Sequence, residues 1–116
     1  MAYINPYIKV NAGGIPRLEA IALDVNGQDV TYRFRPHRFL NYPYAGLLIF
    51  KLPANSTTTL TGNVYFNSGE PGTTYNQSQV YDYKGEAVVA NKAALVTGGV
   101  FIGWYSDGKL LILAHI

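Results

Sequence analysis

The chain has 116 residues, a formal net charge of +2, no cysteine, and only 14% charged residues. That length is one domain by ordinary size. Without cysteine there is no disulfide, thiolate chemistry or cysteine-held metal, and +2 is too mild for the clustered basic face of a nucleic-acid binder. Ordinary domains carry ~25% charged residues, so part of this surface must be covered by something else. The conspicuous candidates are the ten tyrosines, since Tyr is enriched and Lys and Glu are depleted in protein–protein interfaces. Either a neutral polar coat or a surface covered by neighbouring subunits satisfies this composition, and the second is the sharper reading.

Residues Met1 to Pro6 lack a basic segment followed by an apolar stretch, so no signal peptide is expected there. No apolar run reaches the ~18 residues of a membrane-crossing helix, and no membrane partner is expected. The sequons at Asn55 and Asn76 are read as chance features of an Asn/Ser/Thr-rich region.

Residues 1–16 read as an N-terminal arm, and residues 17–116 as the β-domain. Asn11-Ala12-Gly13-Gly14-Ile15-Pro16 looks like a joint, leaving Tyr3, Ile4, Tyr7, Ile8 and Val10 ahead of it. An apolar arm is not favourably left in water. It adds a strand to its own sheet or reaches onto a neighbour.

Next comes a hairpin, Arg17 to Leu23 and Gln28 to Arg35, joined through Asn26-Gly27, a pair that favours a type I′ turn. Val30, Tyr32 and Phe34 alternate with Thr31, Arg33 and Arg35, so one face is buried and the other wet. Pro36 ends that strand. Gly46 to Leu52 is an apolar strand closed by Pro53, and Thr57 to Phe66 reads as a strand with a bulge at Gly62. Asn67 to Gln79 is a loop, and Val80 to Val89 is strand-like with a turn at Lys84-Gly85. Ala87 to Leu95 is the one stretch that admits a helical turn. A second hairpin, Gly99 to Tyr105 and Leu110 to Ile116, turns at Asp107-Gly108. Its last strand is apolar on both sides and is therefore buried on both faces or covered by a neighbour. Short strands with turn signals at roughly ten-residue spacing predict an all-β fold: a single antiparallel β-sandwich or small barrel with an extended N-terminal arm.

The sequence offers little chemistry. His37 and His115 are the only histidines, and no Gly-x-Ser-x-Gly elbow accompanies them. His37 reads as a loop residue and His115 as a hydrogen-bonded edge residue. Asp24-x-Asn26-Gly27-x-Asp29 lacks the spacing and closing Glu of a calcium loop, and the Asp82/Glu86 pair reads as a solvated turn. No metal, cofactor or catalytic set is expected, and the protein is read as a non-enzyme. All four arginines lie within residues 17–38. Arg33, Arg35 and Arg38, with Tyr42 and Tyr44, form a candidate basic and aromatic interaction face. The alternative is pairing of the arginines with Glu19 or Asp29 across the hairpin.

Three segments carry a resemblance: Pro43 to Phe50, Tyr81 to Val88, and Gly99 to Leu110, the last an aromatic strand, a tight polar turn and an apolar closing strand. They resemble the short β-domains of tailed-bacteriophage virions, the head-decoration, auxiliary-capsid and fibre-attachment proteins. The resemblance implies a homo-oligomeric, often trimeric, β-domain seated on a capsid or tail, made in the host cytoplasm and located in the virion. The expected function is a non-enzymatic decoration protein reinforcing a lattice through protein–protein contacts. Two alternatives remain: a carbohydrate- or ligand-binding module using Trp104, Tyr105 or the 67–79 loop, and a single-strand nucleic-acid binder stacking bases on aromatics near Arg38.

Overall fold

The computed structural model describes residues 9–10, 14–35, 39–40, 45–56, 59–68 and 77–116. Its strands are β1 (Lys9–Val10), β2 (Pro16–Glu19), β3 (Ala22–Asn26), β4 (Asp29–Arg33), β5 (Gly46–Leu52), β6 (Val64–Asn67), β7 (Gln77–Asp82), β8 (Gly99–Ser106) and β9 (Lys109–His115), with one short helix, α1 (Ala93–Thr97), before β8. They form a single sheet in the order β1-β2-β5-β8-β9-β7-β6-β4-β3. The fold is all-β, and the sheet curls into a half-barrel.

Both expected hairpins are present, but their turns differ. Asp107 and Gly108 both have positive φ, 53° and 76°, as a type I′ turn requires. In the first hairpin Asn26 pairs with Asp29, which leaves Gly27 and Gln28 as the turn residues. Only Gly27 has positive φ there, and that is the mark of a type II′ turn rather than the I′ turn expected.

The wholly antiparallel sheet expected from sequence is corrected. β2 runs parallel to β5, β4 to β6, and β7 to β9. Parallel neighbours need a crossover, and here each crossover includes a strand placed elsewhere in the sheet. The first hairpin strand is also shorter than expected. Arg17 to Glu19 pair with β5, and the pairing with β4 starts only at Ala22. Between them, the Ala20 amide donates to the Lys51 carbonyl on β5 and the Ile21 amide to the Arg33 carbonyl on β4. The chain thus steps from one end of the sheet to the other within two residues, which draws the two ends together.

Alternation sorts the side chains. Val30 and Tyr32, Leu48, Phe50 and Leu52, Phe101 and Tyr105, and Leu110 and Ile112 all point inward and are buried. A chain of rings crosses the interior: Tyr32 meets Phe66 at 5.7 Å, Phe66 meets Phe50 at 5.1 Å, Phe50 meets Phe101 at 5.6 Å, and Phe101 stacks on His115 at 4.3 Å. Phe50 and Phe66 stand on strands with three others between them in the sheet. Their contact therefore requires the curl, and each such pair adds ~0.5–1.5 kcal/mol beyond the area it buries.

Three further expectations are adjusted. Of the strand expected over Thr57 to Phe66, only Val64 onward is strand among the described residues. Gly62 is no bulge: its amide donates to the Gln28 carbonyl and its carbonyl accepts from Ala90, and a Cβ there would overlap the Asp29 carboxylate. Ala87 and Val89 form bridges with Tyr81 and Asn63, so the helical turn is delayed to α1. Asn55, one of the two sequons, is 1% exposed and donates its amide to the Ala90 carbonyl, where a glycan has no room.

The segment read as an arm is partly at home. Lys9 and Val10 pair antiparallel with Arg17 and Pro16 of β2, so these two residues belong to the sheet rather than extending from it. Tyr3, Ile4, Tyr7 and Ile8 lie outside the described residues.

Candidate functional site

Of the predicted basic and aromatic face, Arg38, Tyr42 and Tyr44 lie outside the described residues, as does His37. Arg33 and Arg35 do share the outer face at the end of β4, with buried Phe34 between them. Arg33 donates from Nε to the Asp24 carboxylate at 3.0 Å across the β3–β4 pair. The pairing is of the kind weighed from sequence but with a different partner; Asp29 instead accepts the Asn63 amide at 2.8 Å, tying the start of β4 to the residue before β6. With Asp24 and Asp29 so committed, the residues of the weak calcium pattern are held in structural contacts.

Asp82 behaves as a turn residue. Its Oδ1 accepts the Lys84 amide at 2.8 Å and the Glu86 amide at 3.0 Å. Those backbone bonds, Glu86 foremost, hold its carboxyl below the usual carboxylate range, with the Lys92 and Lys84 charges acting the same way. His115 is an edge residue, as expected. Its Nε2 lies 2.9 Å from the Gly98 carbonyl, and a carbonyl only accepts, so Nε2 carries the proton. Tyr105 is buried, its hydroxyl accepting from Ser78 Oγ at 3.3 Å, which removes it from any ligand face.

The most distinctive surface is the outer side of the central strands. Inward residues of β5, β8 and β9 feed the core, yet most of the residues alternating with them are apolar too. Leu47 and Ile49 on β5, Val100, Ile102 and Trp104 on β8, and Leu111 on β9 all face outward. The register gathers them: Trp104 lies between Leu47 and Leu111, and Ile102 lies between Ile49 and Ala114. Tyr81 on β7 continues the patch beside Leu111. Trp104 is 41% exposed. Exposed Arg17 and Glu19 on β2, Lys51 on β5 and Lys109 on β9 border it, with Lys109 Nζ 5.7 Å from the Tyr81 ring centre. Four strands ~4.8 Å apart, each giving about five residues at ~3.3 Å, make a face of the order of 300 Å², a size that on small proteins is often functional.

Only part of this patch was legible beforehand. The two-sided apolar character of the last strand signals it, and Trp104 stood out as the single tryptophan. The contributions of Leu47, Ile49 and Ile102 went unrecognised, although Gly46 to Leu52 carries the same signal, an apolar run with hardly a polar residue at either parity.

Comparisons with protein-family models, curated proteins and solved structures returned no significant match.

Proposed function

We propose that this protein is a non-enzymatic virion structural subunit, a decoration or auxiliary capsid protein that joins copies of itself and a capsid or tail lattice. One observation carries the reading: the apolar outer face centred on Trp104 with charged residues around it. That is the arrangement of an interface, an apolar centre inside a polar rim. A standard interface buries ~800 Å² per partner, so the apolar face serves as the centre of a contact completed by Arg17, Glu19, Lys51 and Lys109. Repetition over a lattice multiplies modest contacts through avidity.

Light scattering tests it. The wild-type protein is expected at a multiple of its 12.8 kDa chain mass, and Trp104→Lys is expected at the chain mass with an unchanged circular-dichroism spectrum. A strictly monomeric wild type overturns the assembly reading.

A second reading has one observation in its favour. An exposed indole on a sheet face is also a platform for a sugar ring. Glycan binding that Trp104→Ala abolishes, by a protein that is monomeric, would decide for it.

A further inference from the structure

β7 and β9 run side by side as far as the pair Asp82 and Ile112. There they part. β7 turns back through Tyr83-Lys84-Gly85, while β9 continues along β8 past a bulge between Ile102 and Gly103. The parted strands leave a cavity of about 380 Å³ beneath α1, at the lower end of the ~300–1,000 Å³ range of ligand sites. Its floor is core, formed by Phe101, Leu95 and Ile112, all buried. Its wall includes His115, fixed by its stack on Phe101 and by the Gly98 carbonyl. Its mouth carries two exposed apolar side chains, Tyr83 at 68% and Leu113 at 44%. Lys84 and Lys92 line it against a single acid, Asp82, whose Oδ1 accepts two backbone amides. Two lysines against one aspartate leave a net positive charge beside an apolar floor.

We infer that this cavity binds a small anionic amphiphile, with a carboxylate at Lys84 and Lys92 and a short apolar chain or single ring on Phe101, Leu95 and Ile112. Lysine suits a single carboxylate as a mobile point charge rather than a planar fork. Trp104, Leu47, Ile49, Ile102 and Leu111 do not line this cavity, so it stands or falls independently of the assembly reading.

The test uses the full chain with octanoate, 1-octanol and octylammonium, followed by amide chemical shifts and by the fluorescence of Trp104, the single tryptophan. Octanoate is expected to bind saturably, shifting the amides of Tyr83, Lys84, Leu113 and His115 and leaving Trp104 emission unchanged. Octanol is expected to bind more weakly at the same amides, and octylammonium not at all. In the double variant Lys84→Gln, Lys92→Gln, whose changes lie on exposed residues, octanoate binding should weaken by about fivefold, the size of two exposed ion pairs, with octanol binding unaltered. Three results overturn the inference: no saturable octanoate binding, equal binding of octanoate and octylammonium, or octanoate shifts centred on Trp104 rather than the cavity.

Discussion

Tyr32 sets a test in which removing a polar atom strengthens the protein. Its side chain is 0% exposed, and its hydroxyl is the one buried side-chain polar atom, among the described residues, without a hydrogen-bond partner. An unpaired buried hydroxyl costs about 1–3 kcal/mol in proteins. Tyr32→Phe keeps the ring and its edge contact with Phe66. It leaves a void of roughly 10 Å³, worth a few tenths of a kcal/mol at ~24 cal/mol per Å³. The net expectation is a gain of about 1 kcal/mol, or about 4 °C in Tm for a domain of this size, read by calorimetry at neutral pH. Burial also pushes the phenol up from 10.0 to about 12. Below pH 10 the group is neutral in both folded and unfolded chains. Between these values the unfolded chain loses the proton and the folded one keeps it, so wild-type stability falls as pH rises. A displacement of that size is worth ~3 kcal/mol, and the advantage of Tyr32→Phe should widen across this window in urea titrations. A loss of stability in Tyr32→Phe at neutral pH, or an advantage that does not grow with pH, would refute the reasoning.

Two further outcomes concern the backbone. A Cβ on Gly103 would stand 2.8 Å from both the Leu111 carbonyl oxygen and the Phe50 ring, so Gly103→Ala should cost about 1–3 kcal/mol, seen as a lower urea midpoint at constant slope. Asp82→Ala removes the acceptor of two turn amides and should speed hydrogen exchange at Lys84 and Glu86. Because the Asp82 carboxyl sits below its ordinary range, its support for the turn is full above that range and is lost as pH falls through its lowered value. Asp82→Ala should show no such acid step in turn exchange.

What the sequence made legible was local. Both hairpins are written in two-residue turns, and the strand from Gly46 to Leu52 is bounded by Gly and Pro signals. The parallel pairings were hidden because β4 and β6, or β7 and β9, carry no signal of each other across the intervening strands. The break between β2 and β3 does leave a mark, a change of phase: Leu18 is the apolar residue between Arg17 and Glu19, whereas Ile21, Leu23 and Val25 are the apolar residues around Ala22 and Asp24, so the period-2 pattern shifts by one at Ala20 and Ile21. The apolar outer face was half legible, since a run such as Leu110 to Ala114 states that both faces avoid water but not which lies outside. The cavity was illegible. It joins a turn near residue 84, a lysine before α1 and the end of β9, whose proximity exists only after the sheet curls.

The joint at Ala20 and Ile21 acts as a fixed measure of the half-barrel's girth. Glu19 is held beside Lys51 and Ala22 beside Arg33, and both intervening amides are committed, one to each end of the sheet. There is no slack to absorb. An inserted residue could be taken up only by slipping β2 or β3 by one position, which would turn that strand's inward side chains outward. The two residues therefore work like the clasp of a hoop, and length changes that the 83–85 turn can absorb would here force the sheet open.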